Sequence, residues 1–259
     1  MNNKGLDSDG YVATNIKREN ISASFKSVLA DAIKSLESVL DENLHSIYLY
    51  GSVGRGTAVY GQSDFDLSVI VKTEVSEETG ENLSDLEKAL CDKYESISKL
   101  EFDLGTIKEA LIDNEYEWKF WLKHLCVCVW GEDLRDEISP YKPSMNIGLE
   151  MNKDISRRLS NASSRLNEGN YQAEGKSIAK KLLRTHYSLF SERDGSFYES
   201  LTDLTDCLKG YEPSLEGELS SAFRMAMGTV KAQDEVSSLI ENYGNIVVSR
   251  FRENGGLTT

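Results

Sequence analysis

The chain has 259 residues, with 43 acidic against 29 basic side chains, a net charge of −14 and a sequence pI of about 4.8. That balance disfavours a general nucleic-acid binder, which needs a basic footprint on phosphates, and it either favours cationic small molecules as partners or serves only to keep the protein soluble. The length suits one large domain or two smaller ones.

Residues 1–20 are polar and rich in Asn, Asp and Gly, and are expected to form a mobile tail. They carry no signal-peptide pattern, and no apolar run approaches membrane-spanning length, so no membrane association and a cytoplasmic location are expected. From Ser22 to Leu40, Phe25, Val28, Leu29, Ala32, Ile33, Leu36, Val39 and Leu40 recur at three- and four-residue steps and predict a helix capped by Ser22 or Ser24.

The next stretch, Ile47 to Val71, organises the chain. Ile47-Tyr48-Leu49-Tyr50 has strand character. Gly51-Ser52-Val53-Gly54-Arg55-Gly56 reads as a glycine-rich turn. After a polar loop, Asp64-Phe65-Asp66-Leu67-Ser68-Val69-Ile70-Val71 reads as a second strand. A strand has a side-chain period of two, so Asp64 and Asp66 share one face while Phe65 and Leu67 face a core. Two carboxylates held together repel, and a divalent cation relieves that repulsion. Backbone N–H groups of the neighbouring glycine turn can approach phosphate oxygens.

Lys72 to Ser84 reads as an acidic loop, and Leu83 to Ile97 as a helix. Leu100 to Ile107 alternates as a third strand, with Leu100, Phe102 and Leu104 on one face and Glu101 and Asp103 on the other. Ile107 to His124, with Trp118, Phe120 and Trp121, is expected to form one amphipathic helix, and Leu125 to Gly131 a strand. Cys126 and Cys128 share a face of that strand. With Cys91, Cys207 and three scattered histidines they form no zinc pattern and read as reduced, structural thiols.

Pro140 and Pro143 mark a boundary. Beyond it strand signals stop, and helices are expected over Met145–Leu166, Glu174–Phe190, Leu201–Leu208, Leu215–Met227 and Val236–Phe251, with a frayed end at residues 253–259. The domains expected are a catalytic domain over 21–139 and a helical domain over 144–259. Lys176, Lys180, Lys181 and Arg184 lie on one helix, with Lys176, Lys180 and Arg184 at four-residue steps. That is either a positive stripe reaching a triphosphate or a solvated face.

Gly51-Ser52, a loop and Asp64-x-Asp66 in an apolar strand resemble the signature of the DNA polymerase β superfamily of nucleotidyltransferases. The resemblance covers Ile47 to Ile107. It implies an α/β (α+β) domain with a small mixed sheet, and it makes Asp64 and Asp66 ligands of two Mg2+ ions. It also calls for a third carboxylate from the third strand, as a metal ligand or general base. The apolar-Asp-apolar setting selects Asp103, with Glu101 as its competitor. Gly51 and Ser52 would contact the triphosphate. Arg55 either adds a charge-assisted bond or is a surface arginine. The order of a catalytic domain followed by a C-terminal helical bundle is similar to the small-molecule nucleotidyltransferases that modify aminoglycosides, an antibiotic-resistance activity. It is a likeness of layout, and it extends the expected triphosphate contacts to Lys180 and Arg184. The expected reaction moves AMP from ATP to a hydroxyl of a small cationic acceptor. The alternative is a regulator that nucleotidylates a partner protein, as in toxin–antitoxin pairs. No sequence signal sets the oligomeric state.

Overall fold

The computed structural model describes residues 4–113 and 115–256. The first three residues of the expected tail and the last three of the expected frayed end lie outside the described residues. Ala13–Pro140 form one compact unit, and the segment up to Val12 joins the chain from Tyr141 onward in the other.

In the first unit the elements run α1 (Ala23–Leu40), β1 (Leu44–Tyr50), α2 (Gly51–Arg55), β2 (Asp64–Val71), α3 (Glu77–Lys93), β3 (Lys99–Thr106), α4 (Trp118–Leu125) and β4 (Cys126–Gly131). The strands form a mixed sheet in the order β3-β2-β1-β4. β1 runs antiparallel to β2 and β4, while β2 and β3 are parallel, joined through α3. The alternation sorts the sheet into two faces. Ile47, Leu49, Phe65, Leu67, Val69 and Leu100 are buried in a core with Phe25, Val28, Ala32 and Leu36 of α1 and with Leu83 and Leu90 of α3. Each such Ile, Leu, Val or Phe side chain contributes about 1.5–3 kcal/mol on leaving water, so the apolar face fixes the register and the opposite face is free to carry polar groups.

Three local expectations change. The glycine-rich stretch is not an open turn: Gly51–Arg55 form a short helix, ended by Gly56 at φ 74°. α3 begins at Glu77, inside the stretch expected as a loop. Ser76 accepts the Thr79 N–H at 3.1 Å, and Glu77 and Glu78 suit the helix's positive end. The single helix expected up to His124 is interrupted by a π-helical turn at Glu109–Asp113 before α4 begins.

The second unit is helical: α5 (Met145–Met151), α6 (Ile155–Arg165), α7 (Tyr171–Ser188), α8 (Ser191–Asp194), α9 (Leu201–Tyr211), α10 (Glu216–Ala226), α11 (Gln233–Leu239) and α12 (Asn245–Glu253). α7 is central, and its Ile178, Leu182, Leu183 and Tyr187 are buried among Leu204, Leu219 and Phe251. The helix expected over Met145–Leu166 breaks at Asn152. Its amide donates back to the Gly148 carbonyl at 2.8 Å, and its Oδ1 accepts the Thr185 hydroxyl at 2.9 Å. This side chain competes with the backbone for helical hydrogen bonds. A π-helical turn at Ile240–Gly244 likewise divides the last expected helix.

The segment read as a mobile tail is tied down where it is described. The Phe197 N–H donates to the Lys4 carbonyl at 2.7 Å, and the Val12 N–H to the Tyr141 carbonyl at 2.8 Å. Val12 is buried in the helical unit and Ile16 in the sheet unit. Isolated apolar residues in a polar stretch gave too weak a periodic signal to show this.

Candidate active site

The polar face of the sheet is a ladder of paired rows. β2 and β3 set Asp64 against Lys99, Asp66 against Glu101, Ser68 against Asp103 and Ile70 against Gly105. On the other side of β2, Tyr48 pairs with Ser68, and Tyr50 follows two residues later on the same face. The period of two therefore gathers four carboxylates, Asp64, Asp66, Glu101 and Asp103, beside one lysine and a tyrosine.

Three of the four carboxylates have a neighbouring donor. Asp64 accepts the Ser98 hydroxyl at 2.8 Å. Glu101 pairs with Lys99, and Asp103 accepts the Tyr50 hydroxyl. Asp66 is half-buried and has no such donor among the described residues. Burial, and then the charges of Asp64, Glu101 and Asp103 in that order, push its carboxyl up to about 7. Burial and the Asp103 charge raise the Tyr50 phenol far above its ordinary value, so it stays a proton donor. Its ring meets Trp121 of α4 edge-on, with centroids 4.8 Å apart, and Trp121 Nε1 donates to Ser68 Oγ at 3.0 Å.

α2 opens directly against this cluster. Gly51 has φ 73°, and a Cβ there would stand 2.5 Å from Asp66 Oδ2. Only glycine combines that backbone with that approach. Gly54 is pressed on Ile16, where a Cβ would come within 2.6 Å of Cγ2, and its carbonyl accepts the Lys17 N–H at 3.1 Å. The Gly-Ser segment is thus braced by the residues that precede α1. Ser52 and Arg55 are half-buried on α2.

The nucleotidyltransferase domain family matches residues 29–128, a span that takes in α2 and all four carboxylates. The chain carries a nucleotidyltransferase domain. This domain marks the chain as a transferase, and it holds the Gly51-Ser52 and Asp64-x-Asp66 segments on which the sequence resemblance rested. A solved structure, spectinomycin adenyltransferase AAD(9) from Enterococcus faecialis with ATP and spectinomycin, shares the fold. The TM-score is 0.56 at 14% identity, over 87% of this chain and 98% of that one. No curated protein matches the chain in sequence.

In the nucleotidyltransferase domain, oxygen donors alone make up the acidic set, the chemistry that hard divalent cations take. Among the described residues no three His, Cys, Asp or Glu side chains converge as a preformed metal cage. The donor types and the unrelieved charge around Asp66 nonetheless fit a magnesium-type ion. Cys126 and Cys128 are buried free thiols. Burial holds the Cys126 thiol far above its ordinary value, which suits packing and not nucleophilic chemistry.

Of the remaining residues singled out in the sequence, Lys180 and Arg184 lie on α7 of the helical unit, half-buried and exposed respectively. Lys181 is paired with Asp154 at 2.8 Å, and burial lowers its ammonium, so it is held apart from any open basic stripe. Among the described residues no helix is long and apolar enough to cross a membrane. Sequence reasoning passed over Tyr50, Ser98 and Trp121. The signal for Tyr50 was present: it stands two residues after Tyr48 in the alternating strand and immediately before Gly51.

Proposed function

We propose that the chain is a Mg2+-dependent nucleotidyltransferase that moves AMP from ATP to a hydroxyl of a small cationic acceptor, an aminoglycoside-type molecule in the first instance. The reading rests on one observation: Asp64 and Asp66 share a face with the β3 carboxylates, and Gly51-Ser52 abuts Asp66. Asp64 and Asp66 would hold the divalent ions. Such ions supply charge neutralisation on the triphosphate and lower the proton affinity of a bound hydroxyl. Gly51 and Ser52 would orient the phosphates through backbone N–H groups and the Ser52 hydroxyl, with Arg55 adding positive charge from the same segment.

Two β3 residues compete to be the third carboxylate, Asp103 and Glu101. Register supports Glu101, which pairs with Asp66, whereas Asp103 pairs with Ser68 one row further on. The field at Asp66 supports the same choice, since the Glu101 charge acts on it more than that of Asp103. The Lys99–Glu101 pair leaves 45% of the Glu101 side chain exposed, and an open ion pair of that kind is weak enough to exchange. Glu101 would therefore take the acceptor hydroxyl's proton, with Asp103 beside it.

The test is ATP consumption and pyrophosphate release with Mg2+ and a panel of aminoglycosides and spectinomycin. Asp64→Ala and Asp66→Ala should abolish turnover. Full activity in either variant would remove the metal-site reading, and no turnover with any member of the panel would remove the acceptor class.

A further inference from the structure

Glu101 faces Asp66 and fits the proton-accepting place, so Asp103 is left as a carboxylate without a task in the reaction. It is exposed, and it is also built into its surroundings. The Tyr50 hydroxyl donates to its Oδ2. The Tyr50 ring is wedged against Trp121, which is anchored on Ser68, the register partner of Asp103. One position further along the same face, Gly105 has no side chain, and the ring of Trp118 occupies the space: a Cβ there would lie 2.5 Å from Trp118 Cζ2. Asp103 thus stands on its strand between the row of Asp66 and Glu101 and a residue roofed by an indole. A carboxylate flanked by a phenol hydroxyl and two indoles suits an ammonium group, which gains from the charge and from nearby rings.

We propose that Asp103, held in place by Tyr50, is a specificity-determining residue that binds an ammonium group of the acceptor next to the transfer site. The proposal rests on the nucleotidyltransferase reading and adds the chemistry that selects its acceptor. Tyr50 is a positioning residue. It occupies Oδ2 and leaves Oδ1 to meet the cation. A charge-assisted hydrogen bond of this kind is worth roughly tenfold or more in affinity.

The experiment uses the full chain, Mn2+ alone as the metal probe, ATP, and amine-bearing acceptors (spectinomycin and aminoglycosides) with their N-acylated counterparts. Asp103→Asn should raise the KM for the amine acceptor about tenfold. It should leave kcat and Mn2+ affinity near wild type, and it should erase the preference for the amine over its acylated form. Tyr50→Phe should raise the same KM by a smaller factor and add nothing when combined with Asp103→Asn, because it acts through that carboxylate. Loss of Mn2+ binding in Asp103→Asn would overturn the proposal and make Asp103 a metal ligand. An unmoved KM, additive effects of the two substitutions, or failure of every amine acceptor to bind would overturn it as well. Failure of the underlying nucleotidyltransferase reading looks different: a wild-type chain that binds no Mn2+ and consumes no ATP would remove both.

Discussion

Gly51 and Asp66 are packed so closely that the position of one dictates the side chain of the other: a Cβ on Gly51 would lie 2.5 Å from Asp66 Oδ2. Gly51→Ala is therefore strained twice, by the contact and by φ 73°, a conformation that costs an L residue about 1–2 kcal/mol. The carboxylate can relieve the contact by rotating away, so the damage falls on the site more than on the fold. The expected outcome is a loss of nucleotide turnover of about a hundredfold, with a fall in melting temperature of only a few degrees. Steady-state kinetics and thermal unfolding on the same preparation would check this, and an active Gly51→Ala variant would contradict the role given to this contact.

That contact also shows what the sequence could and could not reveal. The strands were legible because alternation is a strong signal when one face is buried, and the face shared by Asp64, Asp66, Glu101 and Asp103 followed from the same period. The short helix α2 was not legible, because glycines at 51 and 54 argue against a helix. They are explained only by their neighbours, Asp66 and Ile16, which are distant in sequence or in another element. The start of α3 was hidden because its first turn is acidic and polar, which resembles a loop until Ser76 is recognised as its cap. The proposed preference for Glu101 over Asp103 rests on register, which no single strand encodes. The break at Asn152 depends on Thr185, a contact between two helices.

Asp66 makes the stability of the metal-free sheet unit depend on pH. Its folded carboxyl is raised to about 7, so the stability it contributes is complete below the unfolded value near 4 and is lost as pH rises through about 7. Asp66→Asn removes the penalty. In EDTA at pH 8 the variant should be more stable than wild type by on the order of 2 kcal/mol, allowing for partial exposure, and the difference should shrink at pH 5. Urea unfolding at the two pH values measures it. A variant no more stable at pH 8 would mean that Asp66 is not under strain from its neighbours.

Ser98 tests how much of the site is held from outside it. Its hydroxyl lies 2.8 Å from Asp64 Oδ1 and 3.0 Å from the Gln62 carbonyl, with one proton to share between them. Ser98→Ala removes a net hydrogen bond worth about 0.5–1.5 kcal/mol. Because Asp64 is exposed, its carboxylate gains freedom without being stranded from water. Turnover should fall roughly threefold to tenfold, mainly through weaker apparent Mg2+ affinity, with thermal stability almost unchanged. A Mg2+ titration of activity in the two proteins separates this from a purely structural effect.

The helical unit should respond to pH in the opposite sense, through His186. This ring is fully buried on α7 and shares a hydrogen bond of 2.9 Å between Nδ1 and the Tyr243 hydroxyl, while Nε2 has no hydrogen-bond partner. Glu212 stands 4.0 Å from Nε2, but it is engaged by Arg250 at 3.2 Å. Burial, with the Arg250 charge, lowers the imidazole to about 4. A lowered histidine contributes stability that is complete above its unfolded value near 6.5 and is lost as pH falls through about 4. Wild type should lose about 2 kcal/mol between pH 7.5 and 4.5 through this group, a loss that His186→Gln, which cannot titrate, should not share. Wild type and variant unfolding with identical pH dependence would show that His186 titrates alike in the folded and unfolded chain, so that burial does not lower its imidazole.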